Sequence, residues 1–335
     1  MAFETEEYNS IVRGSEIIAG DWLHLKHSDN VLIVTTENHL EEVQILKSCF
    51  SAITGNVDLM VLEDKGKHIG VFFDKNETVF DSYQTIVGAT DYSLVTTKAV
   101  KRAIGSGSKY LSLPLSTNNG KSMLGFDFIQ MDTKKSKWMA NVIKKYVDQA
   151  SIIDVRTEAG TDIRFCKRGR SAGFFNGDVR DGKGFSSASI EVYVPIEEDK
   201  TEGVAVFDGS LGYIGRIEEP FRVRFENGRI VDIEDTPDGR RLREYIESFN
   251  DSEMYVAAEF GIGLNTFSQC VGNCYIEDES AYGTYHIGFG RNIALGGHQE
   301  AGGHFDVVTL QPDIYADNRL IVEKGKIIVP EPQVY

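Results

Sequence analysis

The stretch NVLIVTTENHLEEVQILKSCFSA, residues 30–52, decides the class of fold. Asn30 to Thr36 is a continuous apolar and β-branched run, the pattern of a strand buried on both faces. From His39 to Ala52, Leu40, Val43, Ile45, Leu46, Cys49 and Phe50 recur at helical spacing. A buried strand followed at once by an amphipathic helix opens a parallel βαβ unit. The alternation continues downstream, predicting strands at Val57–Leu62, Leu94–Val95 and Tyr110–Leu113. Helices are predicted at Glu77–Val87 and Lys98–Ile104. Thr133 to Ala150 is the clearest helix, with Trp138, Val142, Ile143 and Tyr146 as its apolar stripe and lysines as a solvated face.

Beyond residue 150 the period shortens. Residues 151–180 read as a pair of strands around a Gly- and Arg-containing loop. FRVRFENGRIVDIE (221–234) alternates apolar and polar residues on both sides of Asn227-Gly228, a hairpin signal. A short helix follows at Asp238–Phe249, and a second hairpin centres on Lys324-Gly325. The expected architecture is an α/β N-terminal domain with parallel βαβ units, residues 1–165, and a β-rich α+β C-terminal domain, residues 166–335.

Composition narrows the function. The 335 residues carry 35 Lys plus Arg against 51 Asp plus Glu, a net charge of −16. Such an excess repels phosphate backbones and anionic membranes, so neither nucleic acid nor membrane is an expected partner. Four cysteines are too few for a disulfide framework. MAFETEEYNS has no basic or apolar segment, and no apolar run approaches the ~20 residues of a bilayer span. The expected location is the cytoplasm.

The chemistry concentrates late in the chain. His286, His298 and His304 fall within nineteen residues, interleaved with glycines in YHIGFGRN and ALGGHQEAGGHFD. His304-Phe305-Asp306 is an HxD pair. On an extended segment, residues i and i+2 face one side, so imidazole and carboxylate converge on one cation. IEDES supplies Glu277, Asp278 and Glu279, and Glu259 stands in the otherwise apolar and Gly-rich AAEFGIGLN. A charge in such a segment costs several kcal/mol unless it is paired or metal-bound. By contrast, Cys270 and Cys274 read as small buried residues. His24, His27, His39 and His68, scattered among polar neighbours, read as surface or satisfied core residues. Gly105–Tyr110 lacks P-loop spacing, and neither GxGxxG nor GxSxG occurs where its chemistry requires it.

From Ser189 to Lys326 the sequence resembles the metallo-aminopeptidases typified by aminopeptidase T and aminopeptidase S. SIEVYVPIEEDKTEGVAVFDGS, AEFGIGLN, EDESAYGTYHIGFG and GGHQEAGGHFDVV match that family's segments in order and spacing. The resemblance implies metal ligands at Glu191, Glu259, Glu279, His286, His304 and Asp306. It implies two divalent cations (Zn, Co or Mn), with Glu279 as the catalytic proton shuttle or as a bridging ligand. Two departures stand out: Ile293 occupies the position of a family Tyr, and SSAS replaces the usual lead-in to Glu191. The same superfamily includes enzymes that open dihydroxypyridine rings with one non-haem Fe(II). Retention of Glu191, Glu259 and Glu279 favours the hydrolase, and loss of the Tyr argues against a standard peptidase.

The expected activity is therefore a metal-dependent aminopeptidase-type hydrolase acting on a small peptide or amide. The alternative is a mononuclear Fe(II) ring-cleaving dioxygenase of the 2,5-dihydroxypyridine type, and a third class is a binding protein without turnover. A homodimer is expected by analogy with the family.

Overall fold

The computed structural model describes residues 3–181 and 184–329. The chain forms two compact units, Met1–Thr133 with Phe175–Ser189, and Lys134–Phe174 with Ile190–Tyr335. The sequence reading places one boundary at 165/166, whereas the chain passes between these units at 133/134, 174/175 and 189/190. The reason is strand pairing. Ile152–Arg156 hydrogen-bonds to Asp313–Ala316, and Asp162–Cys166 to Glu202–Phe207, which draws the hairpin into the later unit.

In the first unit a parallel sheet has the spatial order Asn56–Leu62, Asn30–Thr36, Thr85–Ala89, Lys109–Ser112, Phe185–Ser187. The βαβ expectation holds. Val31 to Thr36 are all buried, as a strand covered on both faces requires. Leu32, Val34, Phe73, Phe80, Ile86, Val100 and Tyr110 share one core cluster.

Two predicted elements differ. The helix expected at Glu77–Val87 is a run of tight turns, with Val79, Asp81 and Tyr83 each donating to the carbonyl three residues back, and then the buried strand Thr85–Ala89. Phe80 and Ile86 are both core residues, but they come from a turn and a strand rather than from one helical stripe. Leu94 is buried from a loop, so the strand expected there is absent. A helix at Thr5–Ile17, running on into a π-helical turn at Ile18–Trp22, was not anticipated.

The helix predicted at Thr133–Ala150 runs over Thr133–Gln149, and all but its first residue belongs to the second unit, which also contains two antiparallel sheets. Buried Lys167 closes that helix, its Nζ donating to the carbonyl of Ala150 at 2.8 Å. One sheet runs in the order Arg229–Ile233, Phe221–Glu226, Glu202–Phe207, Asp162–Cys166, Ile152–Arg156, Asp313–Ala316, Arg319–Glu323, Lys326–Ile327. It includes both predicted hairpins.

In the other sheet, His304–Thr309, Tyr285–Gly290, Ala257–Gly263 and Ile190–Pro195 lie side by side and antiparallel. Their period of two divides the side chains cleanly. Phe260, Ile262, Tyr285, Ile287, Phe289, Phe305 and Val307 occupy one face, buried against the first sheet through the pairs Phe165–Phe260 and Phe225–Phe289. Glu191, Glu259, His286, His304 and Asp306 occupy the opposite face. Among the described residues no helix is long and apolar enough to cross a membrane.

Candidate metal centre

Register brings the site together. Gly261 pairs with both His286 and Tyr193, Gly263 with Glu191, Gly288 with both Glu259 and Asp306, and Gly290 with His304. Each functional side chain therefore sits beside a glycine on the neighbouring strand. The glycines are required by space. A Cβ on Gly261 would lie 1.9 Å from His286 Nε2, and one on Gly288 would lie 2.8 Å from both Asp306 Oδ1 and His304 Cε1. In the sequence, these glycines follow the ligands at i+2, so AEFGIG and HIGFG encode a polar face with room in front of it.

Two groups of side chains present ligand atoms all within 4.8 Å of one another: Glu191, Glu259 and His286, and Glu259, His304 and Asp306. Glu259 belongs to both. His286 Nε2 lies 2.8 Å from Glu191 Oε2; His304 Nε2 lies 3.1 Å from Glu259 Oε2 and 3.4 Å from Asp306 Oδ2. The other ring nitrogen of His304, Nδ1, lies 2.8 Å from the Arg291 carbonyl and donates to it, which turns Nε2 toward the carboxylates.

Glu279 comes from the helix Tyr275–Ser280 and is buried beside Glu191, Asp306 and Glu259, yet it joins neither group. The EDES segment is thus a buried helical turn and not a solvated one. Asp278 anchors it, accepting from Val271 and Gly272 N–H and from Ser210 Oγ. His298 is exposed and stands apart. Cys270 and Cys274 are free thiols, the latter buried.

Three residues escaped the sequence reading. Tyr193 follows Glu191 by two and lies half-buried on the same face. Tyr275 donates its phenol proton to Asp306 Oδ2. Asn292, fully buried, donates from Nδ2 to Glu198 Oε1 and to the Ala258 carbonyl, and accepts from Gln299 N–H. It ties the Gly-rich loop after His286 to the residue preceding Glu259. The period-two rule was enough to find Tyr193; the other two contacts join segments far apart in sequence.

The side chains fit a divalent cation. Four carboxyl groups (Glu191, Glu259, Glu279, Asp306) are buried together with His286 and the half-buried His304, an acidic excess that burial makes costly. Burial pushes Glu259 up to about 7, against the pull of His304. Glu279 is driven well above the carboxylate range by burial and by Glu191, Asp306 and Glu259. Burial would lower His286, but Glu191, Asp306 and Glu259 outweigh it and raise it to about 9. Asp306 is held at about 2 despite burial, by His304 and His286. Asp306 Oδ1 and His286 Nδ1 are buried without a hydrogen-bond partner. A cation supplies what such a set lacks, a positive charge and an acceptor for lone pairs.

Two solved structures share the fold of this chain. The fold is that of AmpT from Thermus thermophilus (TM-score 0.63, 15% identity, 96% of this chain and 99% of that one). It is also that of the 2,5-dihydroxypyridine dioxygenase from Pseudomonas putida KT2440 (TM-score 0.80, 17% identity, 97% and 98%). By sequence the chain belongs to the 2,5-dihydroxypyridine 5,6-dioxygenase (NicX) family, whose model matches residues 129–329. A 2,5-dihydroxypyridine 5,6-dioxygenase of Pseudomonas putida KT2440 is 26% identical over 220 residues; the match spans 60% of this chain and 61% of that protein.

These matches overturn the hydrolase expectation. Aminopeptidase and metalloprotease activity is withdrawn, since the family model and the curated relative are both those of a dioxygenase. The carboxylates Glu191, Glu259 and Glu279 misled because a buried acidic face suits either chemistry. The Ile293 departure from the peptidase pattern pointed the right way.

Proposed function

We propose that the protein opens a small dihydroxylated nitrogen heterocycle of the 2,5-dihydroxypyridine type, using one Fe(II) and O2. Two imidazoles and a carboxylate with open positions make the donor set of non-haem Fe(II) oxygenases; on this sheet face His304 and Asp306 come from one of the two groups and His286 from the other, with Glu259 common to both. Membership of the dioxygenase family supports this reading, and the acidic two-histidine face is the observation that carries it. When bound, Fe(II) supplies the one chemistry these side chains lack, the capacity to let O2 react with a closed-shell ring.

The remaining steps belong to the protein. Arg291 fixes the His304 tautomer through its carbonyl. Glu259, raised to about 7, takes the proton that a ring hydroxyl gives up on entering the site. Glu279, outside both ligand groups, holds a proton beside them, a role that replaces its expected transfer to a leaving amine. In the net reaction the C5–C6 bond breaks and both oxygen atoms enter the product, as an acid at C5 and an N-formyl group at C6.

The test is anaerobic loading with Fe(II), followed by O2-electrode measurements with 2,5-dihydroxypyridine. One O2 consumed per ring lost is expected. Stoichiometrically loaded protein that consumes no O2 with dihydroxylated pyridines or benzenes would sink the reading.

A further inference from the structure

The two oxygens of the Asp306 carboxylate are treated differently by the surrounding protein. Oδ2 accepts from the Tyr275 hydroxyl and faces His304 Nε2, while Oδ1 is buried with no hydrogen-bond partner. We propose that Tyr275 is a positioning residue of the metal centre, fixing the Asp306 carboxylate so that its open oxygen meets the cation. This rests on the metal-centre reading above and adds to it a residue that touches none of the reacting atoms.

The mounting of Tyr275 carries the inference. Its ring stacks on Tyr213, with centroids 4.3 Å apart and planes 21° apart. Beside it Gly212 has φ +55, and a Cβ there would lie 3.3 Å from Tyr275 Cδ2. The backbone is held as firmly. The helix starting at Tyr275 is pinned by Asp278 and by Ser280, whose Oγ donates to the Ile276 carbonyl and accepts from Ile190 N–H. Ile190 precedes Glu191 in the adjoining strand, so one short helix connects the Glu191 strand to the Asp306 carboxylate. A phenol clamped on its ring, its backbone and its neighbouring turn has little freedom to let Asp306 rotate. The peptidase pattern puts a phenol at position 293, where this chain has Ile; here the phenol against a site carboxylate comes from position 275.

Tyr275→Phe in the full-length protein keeps the stack on Tyr213 and removes only the hydroxyl. Chelator competition with Co(II) should show affinity falling roughly 10- to 100-fold, the usual cost of losing an outer partner of a metal ligand. The visible absorption of the bound Co(II) should shift, and the melting temperature of metal-free protein should stay near that of the wild type. Tyr213→Leu, which loosens the ring but spares the hydroxyl, should give a smaller loss of affinity. Wild-type affinity and spectrum in Tyr275→Phe would overturn the positioning role and leave the metal centre standing. A wild-type protein that takes up neither Co(II) nor Fe(II) would instead overturn the metal centre and this inference together.

Discussion

His39 and His304 are both imidazoles set between two carboxylates, one in each unit of the chain. At His39, Nδ1 lies 2.5 Å from Glu42 Oε1 and Nε2 lies 3.0 Å from Asp91 Oδ1. The second oxygen of Glu42 accepts from Ser122, and that of Asp91 from Thr36. Every ring nitrogen and carboxylate oxygen there has a partner, so the cluster ties together the ends of two parallel strands. At His304 the pairing is incomplete. One ring nitrogen is spent on the Arg291 carbonyl, and Asp306 Oδ1 is left over. Two further carboxyl groups crowd behind Glu259 and Asp306 with only His286 to offset them. The residue types are the same. What marks the second cluster as a binding site is buried valence with nothing to satisfy it.

The sharpest way to break this comparison is to fill the space in front of the second cluster. Gly288→Ala puts a methyl group 2.7 Å from Glu259 Cβ and against both Asp306 and His304. Loss of nearly all bound metal is expected, read as the metal-to-chain ratio after loading and desalting. An alanine variant that loads fully would show that the space is not where the cation goes. A second measurement tests the charge side. His286, raised to about 9, and His304, raised well above its usual value, carry protons at pH 7 that a cation must displace. Metal affinity should therefore rise with pH, about tenfold per unit for each proton released. Calorimetric titrations in two buffers of different ionisation enthalpy count those protons, and a count of zero would contradict the assignment of these imidazoles as ligands.

Much of this was legible in the residues, for reasons that differ between the two units. The parallel sheet announced itself through runs such as Asn30–Thr36, because a strand buried on both faces must be apolar throughout. The site announced itself through polar residues at period two among apolar ones. Turns were harder. Phe80 and Ile86 enter the core from a turn and a strand, a pattern that mimics a helical stripe. The Thr5–Ile17 helix buries little beyond Ile11, Gly14 and Ser15, leaving almost no periodic signal to read. Tyr275 and Asn292 act across the fold, and local spacing carries no trace of such contacts. The choice between hydrolysis and oxygenation rested on a single substitution, Ile293, against three retained carboxylates. Ligand residue types alone do not separate those chemistries.

The satisfied cluster makes its own prediction, of moderate size. Burial would lower His39, but Asp91 and Glu42 raise it from 6.5 to about 9. The stabilisation linked to that shift, about 3 kcal/mol, is complete below pH 6.5 and is lost as pH rises through 9. His39→Gln should lower stability by about that amount at neutral pH, as seen by urea denaturation, and should flatten the decline between pH 7 and 10. It should leave the metal-to-chain ratio unchanged. A fall in bound metal with stability unaltered would erase the distinction between the two clusters.

The smallest expected effect is at Asn292, which is satisfied as fully as His39 but lies beside the metal centre. Removing its amide in Asn292→Ala leaves the Gln299 N–H without its partner and takes one of two donors from the Ala258 carbonyl, which still accepts from Ile196 N–H, while Glu198 keeps its pair with Arg170. Since the orphaned Gln299 N–H belongs to a half-buried loop that water can reach on relaxing, the cost should be about 1–2 kcal/mol. Unlike the change at His39, this one should be felt at the metal. Arg291, which orients His304, is the neighbour of Asn292, and Ala258 is the neighbour of Glu259, so both ligands lose a fixed point. Faster metal release to a chelator, with the affinity change confined to the off-rate, is the expected signature. An unchanged off-rate alongside the same loss of stability would show that the loop holds itself in place and that Asn292 serves only the fold.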